Sequence, residues 1–121
     1  MSAIEPYNEE VRRRFENPVH AGDLDGDYDE VLTSAASASD QGAKIVLCAG
    51  VNDGKIASLR FRARGCPHFI AAADMICGAL EGSDRIELER LAIVKHVNVL
   101  DVPVEKTGKM LLIEDAARGL N

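Results

Sequence analysis

The stretch "KIASLRFRARGCPHFIAAADMICGAL" changes its hydrophobic period at a single glycine, and few chain geometries allow that. Up to Arg64 the apolar residues alternate, Leu59, Phe61 and Ala63 against Arg60, Arg62 and Arg64. Such alternation predicts a strand with one core face and one wet face. Beyond Gly65 the apolar positions are Phe69, Ile70, Ala73, Ile76, Cys77 and Leu80, the stripe of a helix that ends at Gly82. The segment therefore predicts a strand, a sharp corner, and a helix from Pro67 to about Glu81 packed back on the strand.

The corner carries Cys66. Pro67 suits the first helical position and makes Cys66 the expected cap, its sulfur near unpaired amides at the positive end of the helix dipole. That environment favours a thiolate over a thiol, and Arg64 adds positive charge if it points the same way. Two readings stand side by side for Cys66, a structural cap and a functional thiol. His68 follows as a first-turn residue expected to be exposed, with ring nitrogens able to donate, accept or ligate a metal. Cys77 lies in the helix stripe and Cys48 in an apolar run, so both are expected in the core.

Upstream, "AKIVLCAGV", "NDG" and "KIASLRFRAR" read as a hairpin. Tyr7 to Glu16 reads as a short helix stopped by Pro18. The Asp-rich stretch with Gly22 and Gly26 reads as a loop or irregular edge strand, and "TSAASASDQGA" as one loop. Downstream, "SDRIELERLAI" reads as a second helix with Asp84 and Glu87 at capping-box spacing. A turn through "LDVPVEKTG" leads to a last helix, roughly Lys109 to Gly119, with Leu112, Ile113, Ala116 and Leu120 apolar. The expected fold class is α+β, a three-stranded antiparallel sheet with helices on one face, as a single domain spanning 1–121.

A net charge of −6 opposes nucleic acid and anionic membrane surfaces. No segment approaches the roughly 20 apolar residues of a membrane span, and the expected location is the cytoplasm. Three cysteines without a C-x-x-C pair argue against a disulfide framework, and no nucleophile and base arrangement suggests an enzyme.

"YNEEVRRRFENPVHAGDL", "NDGKIASLRFRARGC" and "IEDAARG" together resemble the U-type iron-sulfur cluster scaffold family, the IscU proteins and the amino-terminal domain of NifU. The resemblance spans nearly the whole chain. It implies that fold, and a cluster held by three cysteines assisted by an aspartate and a histidine. Of these only the second cysteine is kept, as Cys66. The first falls on Gln41, the aspartate on Ala43, the histidine on Gly108 and the third cysteine on Lys109, while Asp40 stands close to the aspartate's place. "VPVEK" keeps Pro103 and Lys106 of the family's chaperone-recognition segment and loses the rest, which puts chaperone docking in doubt.

The resemblance thus implies a divergent scaffold handling iron, sulfur or a shared cluster, with a cysteine desulfurase or other assembly proteins as partners. Three uses of Cys66 follow. With His68, or with Asp40, it would bind iron or zinc weakly in one subunit; two subunits of a homodimer would share a cluster between their Cys66 thiolates; or Cys66 would accept a persulfide sulfur. The last two are favoured, since one thiolate and one imidazole leave most coordination positions empty. The rival reading is a cluster-free interaction or regulatory module in which Lys109 pairs with the Cys66 thiolate.

Overall fold

The structure, a computed structural model, describes residues 7–120. In chain order they form α1 (Glu9–Glu16), β1 (Glu30–Ala38), β2 (Ala43–Asn52), β3 (Lys55–Arg64), α2 (Pro67–Leu80), α3 (Ile93–His96) and α4 (Thr107–Gly119), with short 3-10 turns between. The sheet order is β1-β2-β3, antiparallel throughout. The α+β architecture expected from the sequence is the one observed.

The hairpin forms because Asp53 and Gly54 both take positive φ, +53° and +75°, as a two-residue turn between right-twisted strands requires. Ile45, Leu47 and Ala49 of β2 and Leu59 and Phe61 of β3 then face inward and are buried, while Arg62 and Arg64 face solvent. Against this face pack Phe69, Ala73, Ile76 and Cys77 of α2 and Met110, Ile113 and Ala116 of α4. α1 packs on α2 through Val11, and Asn8 caps it by accepting from the Val11 amide at 2.9 Å. The helix thus starts at Glu9 rather than at Tyr7.

Three further expectations are corrected. "TSAASASDQGA" is not one loop: through Ala38 it belongs to β1, and only Ser39–Gln41 turns. Its small side chains let α4 come close, since a Cβ on Gly119 would collide with Ser34 Oγ. "SDRIELERLAI" is not a second helix but a 3-10 turn over Arg85–Leu88, in which the Asp84 carboxylate caps nothing and instead accepts from Lys55 Nζ at 2.9 Å. Cys48 is not in the core. It pairs with Thr33 and Arg60 on the outer face of the sheet and is half-buried there.

Two carboxylates on α2 and at its end fasten the parts together. Buried Asp74 accepts from Arg14 Nη1 of α1 at 2.7 Å and from the His20 amide at 2.9 Å. Glu81 accepts from the Leu59 amide at 2.8 Å and from Arg60 Nη1 at 2.7 Å. The His20 ring lies between them, Nδ1 3.2 Å from Asp74 Oδ1 and Nε2 3.1 Å from Glu81 Oε1. Burial pushes the Glu81 carboxyl up, but the bonds from Leu59 and Arg60 outweigh it and hold the group below its ordinary value.

Cys77 is fully buried, and burial pushes its thiol far above the ordinary range. We expect it to resist thiol reagents in native protein and to react only after unfolding. Cys77→Ser should cost about 1 to 3 kcal/mol in urea denaturation by burying a hydroxyl in the stripe. Rapid labelling of native Cys77 would show that the helix is not seated as described.

Candidate functional site

The β3–α2 corner requires glycine at position 65, because a Cβ there would lie 2.8 Å from Phe69 Cδ2. With the ring of Phe69 seated in the core directly behind the corner, the chain turns at once from strand to helix. Cys66 takes an extended conformation, φ −72° and ψ 165°, and its carbonyl accepts from the amides of Phe69 and Ile70 at 3.0 and 3.1 Å. Its sulfur makes no capping hydrogen bond. The backbone caps the helix, and the half-buried thiol is left without that structural duty.

The antiparallel register carries the other matched positions to the same end of the sheet. Lys44 pairs with Arg64, so Ala43 stands one step further, beside the Gly65–Cys66 corner. The Ser39–Gln41 turn and Gly42, at φ +63°, close the β1–β2 connection at this end. A Cβ on Gly108 would lie 3.9 Å from Gln41 Oε1, so the turn meets the first residues of α4. Gln41 and Gly108 thus meet at the end of the sheet where Ala43 stands one step from the Lys44–Arg64 pair, and Lys109 follows Gly108 on α4.

Their chemistry does not suit a cluster. Ala43 is buried and offers no donor atom, and Gly108 has no side chain. Gln41 and Asp40 are exposed in the turn. Lys109 is half-buried and, among the described residues, has no hydrogen bond or ion pair. Iron-sulfur clusters are held chiefly by cysteine thiolates, and here one chain brings a single thiol. No group of three or more His, Cys, Asp or Glu side chains poised for a metal occurs among the described residues.

His68 is not the exposed first-turn residue that its position suggests. It is buried, 3% exposed, with its ring edge-on to Tyr7 at 4.5 Å between centroids. Lys106 Nζ, 5.1 Å from the centre of the Tyr7 ring, donates to His68 Nδ1 at 3.0 Å. The lone pair on Nδ1 that a metal would take is therefore engaged by an ammonium. Burial, and then the charge of Lys106, press the imidazole down to about 4, against a smaller opposite pull from Asp101. At neutral pH the ring is uncharged.

Sequence reasoning missed this Tyr7–His68–Lys106 assembly, since its members lie far apart in the chain. The one available signal was that Lys106 survives, with Pro103, in a segment otherwise altered.

Comparison with known proteins agrees with the fold. The model of the family described as NifU-like N terminal domain matches residues 6–119. The chain is 28% identical over 113 residues to the iron-sulfur cluster assembly scaffold protein IscU of Escherichia coli K12, covering 93% of this chain and 88% of that one. It is 30% identical over 116 residues to IscU of Haemophilus influenzae, covering 93% and 90%. Among solved structures, a candidate iron-sulfur cluster assembly scaffold protein for the SUF system from Fervidobacterium islandicum superimposes with a TM-score of 0.74 at 14% identity, covering 99% of this chain and all of that one. The amino-terminal part of a NifU-like protein from Brucella abortus gives 0.69 at 17%, covering 93% and 90%.

The His68 burial has a pH signature. The folded imidazole titrates at about 4, against 6.5 for the free group, so between these values the unfolded chain holds a proton that the folded chain refuses. This contribution is fully present above about pH 6.5 and is lost as pH falls toward 4. Stability measured by urea denaturation across that window should fall more steeply with acid for the parent than for His68→Gln. Equal slopes would mean that His68 is accessible to solvent in the folded state.

Proposed function

This chain belongs to the NifU-like N-terminal domain family, that of the iron-sulfur cluster assembly scaffolds, and on that premise we propose that Cys66 serves it as a sulfur-accepting thiol. The observation that carries the reading is the Cys66 sulfur. It is half-buried at the β3–α2 corner, and it caps nothing.

The donor implied by family resemblance is the persulfide of a cysteine desulfurase. The Cys66 thiolate attacks the terminal sulfur of that persulfide, the donor's S–S bond breaks, and the donor cysteine leaves as a thiolate. Cys66 then carries the sulfur as its own persulfide, with no net oxidation or reduction. Iron, or a cluster assembled from it, is cargo in this reading. Gln41, Ala43, Gly108 and Lys109 supply no thiolate or imidazole, so one subunit does not retain it; a cluster shared between two subunits would draw one Cys66 thiolate from each and need its remaining iron positions filled by ligands from outside the chain.

A second reading, a cluster-free interaction module, is favoured by one observation. Lys109, at the place of the family's third cysteine, is half-buried and without a partner among the described residues. An ammonium there can pair with a thiolate in place of a metal.

The two readings separate in one experiment. Incubated with a cysteine desulfurase and cysteine, the protein should gain the mass of a sulfur atom, and Cys66→Ser should abolish the gain. No persulfide on Cys66 would leave the cluster-free module as the surviving reading. Anaerobic addition of iron should give little absorbance from sulfur-to-iron charge transfer in the monomer fraction. Gln41→Cys with Lys109→Cys should raise cluster retention through gel filtration; a stable, stoichiometric cluster on the unaltered monomer would overturn the assignment.

A further inference from the structure

The helices cover one face of the sheet and leave the other open at the end that carries the site. There the outward residues are Lys44 and Val46 of β2 and Arg62 and Arg64 of β3. Lys44 and Arg64 are directly paired across the strands, and both are exposed. Neither has a hydrogen bond or ion pair among the described residues. Arg62, on the same face, pairs among the described residues only with Asp23, itself well exposed. No carboxylate lies among the residues lining the two adjoining depressions, which share Lys44 and Arg64.

This positive field stands on a chain of net charge −6, so it is not the remnant of a basic surface. The depressions, about 260 and 280 Å³, are smaller than the roughly 300 to 1,000 Å³ clefts that enclose small organic ligands. They meet at the Lys44–Arg64 pair on the open sheet face.

We infer that this end of the open sheet face docks an acidic, extended segment of a partner protein. Unpaired cations on a flat surface steer and orient an oppositely charged partner more than they add raw affinity. Carboxylates presented along an extended chain match guanidinium and ammonium groups set side by side on adjacent strands. The chain's overall negative charge disfavours the long phosphate backbone of nucleic acid, whose field reaches beyond the patch. The second depression runs from Arg64 and Lys44 to Ala43, Gly42 and Ser39, so a segment seated here ends at the turn beside the Gly65–Cys66 corner. The inference concerns docking and stands whether or not Cys66 accepts sulfur.

The test is fluorescence anisotropy of a labelled oligoglutamate peptide at low salt, about 50 mM, where exposed charges are least screened. Lys44→Glu with Arg64→Glu should weaken binding about tenfold or more, while Lys95→Glu, an exposed cation on α3, should leave it nearly unchanged. Peptide-induced amide shifts should fall on residues 44–46 and 62–64. If the double reversal perturbs the fold, Lys44→Gln and Arg64→Gln singly should show smaller losses in the same direction.

Three results would overturn the inference. One is no binding to the parent protein, and another is a loss from Lys95→Glu equal to that from the double variant, which would mark a net-charge effect. The third is a labelled single-stranded RNA that binds the same residues more tightly than the peptide, which would make the partner nucleic acid.

Discussion

The structure depends on the fit between Gly65 and Phe69. A strand that must become a helix within two residues needs a corner with no side chain on its inner side. The Phe69 ring occupies that space, 2.8 Å from where a Cβ would stand. The same ring is fully buried, so the corner is clamped by the core rather than by the loop itself. Cys66 inherits its position from this clamp. A larger residue at 65 would move the ring, the first turn of α2 and the thiol together.

From the corner outward, α2 acts as the beam to which other parts are tied. Asp74 takes Arg14 from α1 and the backbone at His20; Glu81 takes the backbone of β3 at Leu59 and the guanidinium of Arg60. Each buried or half-buried oxygen is matched by a donor, and among the described residues no buried side-chain nitrogen or oxygen lacks a partner. At the other end of the beam, His68 takes Lys106. Removing one member of such a pair leaves the other desolvated and alone, and this costs more than the pair contributes as a whole.

Features governed by a local period or a steric rule were legible in the sequence. The Asp53-Gly54 turn, the alternation of β3, the stripe of α2 and the proline after Cys66 all appear where local chemistry puts them. The serine and alanine run of β1 was not legible, because its strand pairing comes from β2 and from the close approach of α4, not from β propensity. Cys48 was misplaced although the signal was present: it shares the outward phase of β2 with Lys44 and Val46, and apolar neighbours in sequence are not neighbours on a face. The convergence of Gln41, Ala43 and Gly108 was readable only through family resemblance. The burial of His68 was not readable from any local pattern, since Tyr7 and Lys106 close over it from distant parts of the chain.

The backbone between His20 and Gly22 has a further consequence. Phe61 donates its amide to the His20 carbonyl at 3.0 Å, and Gly22 donates to the Phe61 carbonyl at 2.8 Å, so the free margin of β3 is plugged at its middle. Among the described residues no strand lies beyond β1 on the other side. The sheet is therefore growable from one margin only, and that margin, Glu30–Ala38, carries Val31 and Leu32 at its start, small alanine, serine and threonine side chains after them, and charge only at Glu30. Any strand-to-strand joining of two copies would run through β1, giving a six-stranded sheet whose two blocked margins face outward and which has no edge left on which a third copy could add.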